Sequence, residues 1–499
     1  MYSLTEQQFI KLSKKGNLIP IYKEIDADLD TPVSCYLKIA GGLAARQADG
    51  EYSFLLESVE GQEKTARFSF ISSSPRIVFR TKANTVEIIE NGHTNKFKIG
   101  RDPLEELKKI MQRYNFVDTG DLPRFCGGLV GFIGYDIVKF FEPKLNELNI
   151  QEDDLKLPDS LFLLTDAILI FDHLRHKIKI IYCAHIYGKG VKKFYKQAVR
   201  KIEELIKKIK QPLCENIYKE KSRGTKYCAL TSNFTQNNFI KAVNKAKEYI
   251  RKGDIIQVVL SQRFKIKINK NPFLIYRNLR MLNPSPYMYY LKLKDLEIIG
   301  SSPELLVRQE DNVVVTRPIA GTRPRGKDEQ QDSAFAKELL NDKKERAEHL
   351  MLVDLGRNDL GRICDFGTVK MNEFMIIERY SHVMHIVSEV KGRLKKDKDN
   401  FDVMRAVFPA GTVSGAPKVR AMEIINELEK QVRGPYAGAI GYFSFSGNVD
   451  TCITIRTIVI NKNFAYIQAG AGIVADSDPK KEYQETVNKA KAQLEAIVN

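Results

Sequence analysis

Residues 254–268 read DIIQVVLSQRFKIKI. A run this apolar and rich in β-branched residues reads as one long strand. Just ahead of it, Thr235 can cap a helix whose apolar stripe is Phe239, Val243, Ala246 and Ile250, and Gly253 stands where a C′ glycine belongs. Further strand-like runs follow at 296–309 (LEIIGSSPELLVRQ), 312–318 (NVVVTRP), 438–445 (GAIGYFSF), 450–460 (DTCITIRTIVI) and 464–474 (FAYIQAGAGIV). Helical patterns fall between them at 335–355, 400–409, 417–430 and 478–498. The order is not a regular βαβα alternation, which predicts an α+β sandwich with large antiparallel sheets and helices outside.

Upstream, the first ~180 residues mix short β-like runs with turn signals, such as YSFLLESV, ARFSFISSSP and CGGLVGFIGYD. They predict an N-terminal β-rich, mainly antiparallel domain over 1–215. A polar, irregular linker is expected at 216–230, and a second domain over 231–499. At 499 residues the chain can fill more than one core or one large interlocked fold. Hydrophobic residues at 43% and charged residues at 28% match ordinary globular usage. No window approaches a membrane span, and the N-terminus lacks the apolar segment of a signal peptide. Seven scattered cysteines without a CxxC pair suit reduced thiols in a cytoplasm.

The net charge of +17 raises the possibility of nucleic-acid binding. The lysines, however, spread through amphipathic helices such as 190–211, where Glu203 and Glu204 sit among them, as on a solvated face. No zinc-finger, bZIP or RNP pattern is present. A basic nucleic-acid-binding protein stays as the alternative from a different class; it would predict strong salt-dependent affinity for DNA or RNA.

Five features could carry chemistry. Glu345 and Glu348, and again Glu482 and Glu485, are three apart on predicted helices, so each pair points two carboxylates one way. Two such faces over a cleft would suit Mg²⁺; surface acids balancing nearby lysines are the plainer alternative. The loop AGAGIVADSDP carries Gly470 and Gly472 before a helix that Asp476, Ser477 or Asp478 can cap, with Pro479 in its first turn. Such a loop can present N–H groups to an anion or be a tight turn alone. Thr412 and Ser414 stand in a glycine-rich turn. Arg456, among apolar residues, needs an anionic partner from substrate or protein. His385 lies in an apolar run, as a hydrogen-bonded core histidine also would.

Taken together, IIQVVLSQRF, NPSPYMYY, GSSPELL, RPIAGTRPRG, ERAEHLMLVDLGRNDLGRI, SHVMHIVSEV, PAGTVSGAPKVRAMEII, YAGAIGYF, DTCITIRT and QAGAGIVADSDP resemble the chorismate-utilising enzymes. They run collinearly over about half the chain, and LLES at 55–58 extends the likeness upstream. Within that family the likeness is strongest to the large subunits of anthranilate synthase. The resemblance implies a two-layered sandwich interlocked with the N-terminal part. It implies Mg²⁺ held by Glu348 and Glu485, with Glu345 and Glu482 as accessory ligands. Chorismate would meet Gly321, Thr322, Tyr436, Arg456 and the backbone of Gly470, Ala471 and Gly472. Glu304 matches the acid that protonates the leaving hydroxyl, His385 the residue tied to pyruvate elimination, and Thr412 a residue orienting the reacting groups.

The family's branches differ at two positions. Sister enzymes that make 4-amino-4-deoxychorismate resemble PIKGT where this chain has PIAGT, and their lysine attacks the ring; Ala320 offers no nucleophile. Isochorismate and salicylate synthases have a water-activating lysine where this chain has Gln257. Free ammonia attacking C2 is the family chemistry that remains. A 4-amino-4-deoxychorismate synthase large subunit or an isochorismate synthase is the alternative within the family. No glutaminase signature occurs, so a separate glutaminase subunit is expected to deliver ammonia. LLES and NPSPYMYY resemble tryptophan-binding elements, which places feedback inhibition at Glu57, Ser58, Pro286, Tyr287 and Met288.

Overall fold

The strand predicted at 254–268 spans Gln257–Lys267 and is buried over most of its length. It pairs antiparallel with Phe464–Ile473, from Val258 opposite Ile473 to Lys267 opposite Phe464. The helix before it spans Gln236–Arg251, with Thr235 accepting from the Asn238 amide and burying Phe239, Val243 and Ala246. Gly253 follows its C-cap at φ +80°, where a side chain would be strained. The computed structural model describes residues 1–41, 51–58, 67–148, 151–213, 230–380 and 383–498. The expected linker lies outside these residues apart from Leu230, as do Cys214 and Cys228.

Among the described residues two twelve-stranded sheets form, with antiparallel pairing between their strands. The first runs in space Leu18–Asp26, Lys177–His185, Ala167–Asp172, Phe68–Ser73, Tyr52–Glu57, Tyr287–Leu293, Leu296–Ser302, Thr457–Asn461, Phe464–Ile473, Gln257–Lys267, Thr231–Ser232. Gly415–Ala416 adds to it beside Gln257. The second runs Ile319–Pro324, Val383–Arg393, Val313–Thr316, Leu305–Glu310, Val449–Ile453, Ala439–Ser444, Gly128–Ile133, Ser160–Thr165, Ile77–Lys82, Thr85–Glu90, His93–Lys98. Lys370–Arg379 pairs with Val383–Arg393. Each sheet thus joins a block of strands from before the expected linker edge to edge with a block from after it, which is the interlocked α+β sandwich.

Alternation along the strands sets the layers. In Tyr287–Leu293, Tyr289, Leu291 and Leu293 join the core between the sheets, while Met288 and Tyr290 face a helix-covered core. In Ser160–Thr165, Leu161 and Leu163 face between the sheets, and Phe162 and Leu164 face outward under other helices. Both faces are dry, so these strands read as unbroken apolar runs.

Two such runs change sheets partway. The segment 296–309 leaves the first sheet at Pro303–Glu304 and enters the second; the segment 450–460 makes the return between Ile453 and Thr457. The crossings are sewn together by Ile453 N–H to the Glu304 carbonyl at 3.0 Å, Ser301 N–H to the Arg456 carbonyl at 3.2 Å and Ser302 Oγ–H to the Ile453 carbonyl at 2.7 Å. Arg456 sits there at φ 52°, an uncommon conformation for a residue with a long side chain. The helical pattern at 335–355 also divides, into Glu329–Asn341 and Lys343–Gly361. Asp342 ends one helix and caps the next, its Oδ1 accepting from the Lys344 and Glu345 amides at 3.0 and 3.2 Å.

Candidate active site

The paired crossings hold Glu304 and Arg456 between the sheets. Glu304 is 8% exposed, and burial pushes its carboxyl up to about 8. The Thr412 hydroxyl and the Lys489 ammonium oppose that rise. Thr412 Oγ1 is buried beside it without closing a hydrogen bond of ordinary geometry to any described residue. Arg456 has no carboxylate within ion-pair distance among the described residues; it donates to the Lys489 carbonyl. Burial lowers its pKa, with Tyr436 and Glu485 near enough to work the other way. Tyr436 is buried and pushed up to about 12, first by desolvation. Its backbone neighbour Ala437 bonds the Thr454 carbonyl at 2.9 Å, tying the Tyr436 turn to the second crossing.

Glycines shape the next wall. A Cβ on Gly470 would stand 2.7 Å from the Tyr436 hydroxyl, and one on Gly472 would stand 2.5 Å from Gln257 Nε2. The pairing of Phe464–Ile473 with Thr457–Asn461 stops at Ile467, so one edge of Gly470–Gly472 is left without a strand among the described residues. Ala471 buries its methyl in the core, leaving its backbone for contact. The following helix, Pro479–Val498, is capped by Asp478, whose Oδ1 accepts from the Lys480 and Lys481 amides at 2.8 and 3.0 Å. That cap aims the first turns of the helix, with Glu482 and Glu485, along the glycine edge.

Both acid pairs behave as like charges crowded together. Burial first, then Glu348, raises the Glu345 carboxyl; burial first raises Glu482, with Glu485 adding to it. Lys344, from the helix of the first pair, acts on Glu482, so the two helix starts approach each other. Gln257 Nε2 donates to Glu348 Oε1 at 3.2 Å, while Gln257 Oε1 is buried with no described partner. Glu485 is paired with Lys489 at 2.6 Å, and Lys489 also donates to the Gly470 carbonyl at 3.0 Å. No three His, Cys, Asp or Glu side chains among the described residues are grouped as a ready chelate. Four hard oxygen donors with two raised carboxyls and an orphaned amide oxygen nevertheless suit a divalent cation. Mg²⁺ commonly takes one or two carboxylates and completes its shell with water and ligand oxygens.

The strand Ile319–Pro324 shifts register between Ala320 and Arg323, so Gly321 and Thr322 bulge from the sheet. Gly321 has φ +66°, and a Cβ there would lie 2.9 Å from Leu339 Cδ1 and 3.2 Å from Glu345 Oε2. His385 Nδ1 lies 2.8 Å from the Gly321 carbonyl and 3.2 Å from Thr322 Oγ1. A carbonyl only accepts, so Nδ1 carries the proton and Nε2 is the basic nitrogen. Burial holds the imidazole pKa down, and Arg456 adds to that. Ala320 is buried opposite Ile386. Arg323 and Arg325 are structural: Arg323 binds Glu338 and Asp342, both at 2.9 Å, and Arg325 binds Asp332 at 2.7 Å.

Lys489 was not singled out in the sequence, although it lies one helical turn beyond Glu485 on the same face. An i, i+4 Glu–Lys pair reads as a solvated ion pair, which hid it.

The remaining five residues gather elsewhere. Glu57, Ser58, Pro286, Tyr287 and Met288 line a cavity of about 970 Å³ between the sheets. Met288 pairs in register with Glu57, so LLES and NPSPYMYY are neighbouring strands. Glu57 is held by Tyr276 and by Arg280, whose Nε donates at 3.0 Å. Tyr287 donates to Asp450 at 2.9 Å and Arg308 binds the same carboxylate at 2.9 Å. Gly441, Tyr442 and Cys452 complete this end of the cavity, and nothing in their spacing marks them. The acid pairs do not line this cavity.

The chain is similar over nearly its whole length to known proteins. A family described as chorismate binding enzyme matches residues 88–495. Anthranilate synthase component 1 of Acetivibrio thermocellus is 50% identical over 489 residues, covering 97% of this chain and 96% of that protein. The protein of the same name from Aquifex aeolicus is 48% identical over 506 residues, covering 99% and 98%. The crystal structure of anthranilate synthase component I from Streptococcus pneumoniae superposes with a TM-score of 0.75 at 39% identity, covering 87% of this chain and 95% of that one. With likeness over nearly the whole chain, it belongs to the chorismate-binding enzymes, on the branch of anthranilate synthase component 1.

Proposed function

We propose that the chain converts chorismate and ammonia to anthranilate, pyruvate and water, with Mg²⁺ bound by Glu348 and Glu485 and with Glu345 and Glu482 as accessory ligands. The cation, when bound, orients the ring carboxylate and offsets its charge. Arg456, Tyr436 and the open edge of Gly470–Gly472 receive the enolpyruvyl carboxylate, and Lys489 sits between the two anionic ends. Ammonia adds at C2 as both ring double bonds shift, C1=C2 to C1=C6 and C5=C6 to C4=C5, and the C4 hydroxyl leaves. A hydroxyl leaves poorly without a proton, and Glu304, neutral below a pH of about 8, has one to give. Thr412 orients this acid and the leaving group. His385 then takes the C2 proton at Nε2 while the C3–O bond breaks, and the enolpyruvyl fragment gains a proton to become pyruvate.

The observation that carries the choice of reaction is the pair of side chains at the branch positions. Gln257 is committed to Glu348 and Ala320 is buried, so neither supplies the amine that the sister reactions use. Ammonia comes from a separate glutaminase subunit, and the enzyme works in the cytoplasm; no helix among the described residues is long and apolar enough to cross a membrane. Tryptophan binds in the cavity at Glu57, Ser58, Pro286, Tyr287 and Met288 and inhibits. The purified chain with chorismate, Mg²⁺ and ammonium at mildly alkaline pH should yield anthranilate and pyruvate. Isochorismate or 4-amino-4-deoxychorismate as the product would overturn the reading of Gln257 and Ala320.

A further inference from the structure

The cavity that holds Glu57 at one end reaches close to His385 at the other. Along Val383–Arg393, side chains of alternate residues share a face, so His385, Val387 and Glu389 form one row. Val387 and Glu389 line the cavity, and His385 is the next position in the row. Between the cavity and the histidine stand Glu378 and Tyr380, which also line it. Glu378 is the cross-strand partner of His385, so their side chains lie on the same face. Its Oε2 accepts from the Tyr380 hydroxyl at 2.9 Å, and the Tyr380 ring meets the His385 ring edge-on with centroids 5.6 Å apart. The other carboxylate oxygen accepts from Arg317 Nη2 at 2.6 Å. Arg317 in turn binds Glu373 at 2.9 Å and lies 3.7 Å from Glu389, while its buried Nε has no hydrogen-bond partner among the described residues.

We propose that Glu378 and Tyr380, held by Arg317, are positioning residues for the His385 imidazole, and that through them an occupant of the cavity acts on the base. The Gly321 carbonyl and the Thr322 hydroxyl both meet Nδ1, and contacts at one nitrogen leave the ring free to swing about it. The edge contact of Tyr380 removes that freedom, and Glu378 fixes Tyr380. An occupant that displaces Arg317, whose Nε makes no hydrogen bond and whose three carboxylate partners are shared between two strands, loosens the clamp without touching substrate. This rests on the role given to His385 above, and on tryptophan as the cavity ligand.

Tyr380→Phe keeps the ring and removes only the hydroxyl; Glu378→Gln keeps the size and removes the charge. Each is compared with wild type for kcat, for KM of chorismate, for release of the aminated intermediate that still bears the enolpyruvyl arm (by mass), and for tryptophan binding by calorimetry against tryptophan inhibition. The proposal expects kcat to fall about ten- to a hundredfold, as for a misplaced catalytic group, with KM little changed. It expects free aminated intermediate, and tryptophan that binds as to wild type but inhibits less. Unchanged kcat, or a loss of kcat with no intermediate released, overturns it; so does tryptophan inhibition that follows binding as in wild type. Should Glu378→Gln fail to fold, Tyr380→Phe decides alone. If wild type itself makes no anthranilate, the fault lies in the reading of the site and not in the clamp.

Discussion

Single residues in this site are perturbed in directions that match the work assigned to them. Glu304 must be neutral to donate a proton, and its environment favours the neutral form: burial raises the carboxyl to about 8, outweighing Thr412 and Lys489. The sign follows directly. Below that pH the acid is neutral and carries its proton, and raising the pH through about 8 removes it, so the rate per unit of free ammonia should fall on the alkaline side. A pH profile corrected for the ammonia fraction reads this limb. Glu304→Gln should lower kcat by about 10²–10⁴-fold and flatten the limb, whereas an unchanged limb in that variant would assign it to another group. Arg456 is the complementary case, a partly buried cation without a carboxylate among the described residues. Arg456→Met should cost about ten- to a hundredfold in kcat/KM for chorismate, the loss of one charge-assisted contact, with little change in stability because no protein anion is left behind.

Elements show why part of this was legible in the chain and part was not. The i, i+3 acid pairs, the Thr235 cap and the glycines of 470–472 are local patterns: the cap forms, each acid pair crowds two like charges, and a Cβ on Gly470 or Gly472 would collide with Tyr436 or Gln257. The sheet crossings at Pro303–Glu304 and Thr454–Arg456 are not local: a run buried on both faces stays apolar whether it continues in one sheet or changes sheets. Only Pro303 interrupts the pattern, and Arg456 records its crossing in φ, which no composition reports. The break at Asp342 was hidden similarly, because an aspartate within a charged helical stretch reads as a surface residue until its carboxylate is seen capping two amides. Asp342 also holds Arg323, so Asp342→Ala should cost about 1–2 kcal/mol of stability, measured by denaturant titration. The same change frees the first turn bearing Glu345 and should weaken Mg²⁺ binding.

At the scale of the whole molecule, segments distant in the chain are joined under the site by a buried pair. Arg433 is 1% exposed and binds Glu429 at 2.6 Å; it also donates to the carbonyls of Val413 and Val259, both at 2.7 Å. Glu429 accepts from the Ser261 amide at 2.8 Å. One ion pair thereby ties the Thr412 turn, the Gln257 strand and the Tyr436 turn, and it places residues from distant parts of the chain within one site. Arg433→Met leaves Glu429 buried and uncompensated, and should destabilise the fold by about 3–5 kcal/mol in chemical denaturation. A loss within experimental error would show that the pair is replaceable by packing. The central claim, however, is the reaction itself, and it is tested by incubating the purified chain with chorismate, Mg²⁺ and isotopically labelled ammonium. The account predicts labelled anthranilate and pyruvate in equal amounts, both abolished by Glu348→Gln. An unlabelled product, or labelled product without pyruvate, would contradict it.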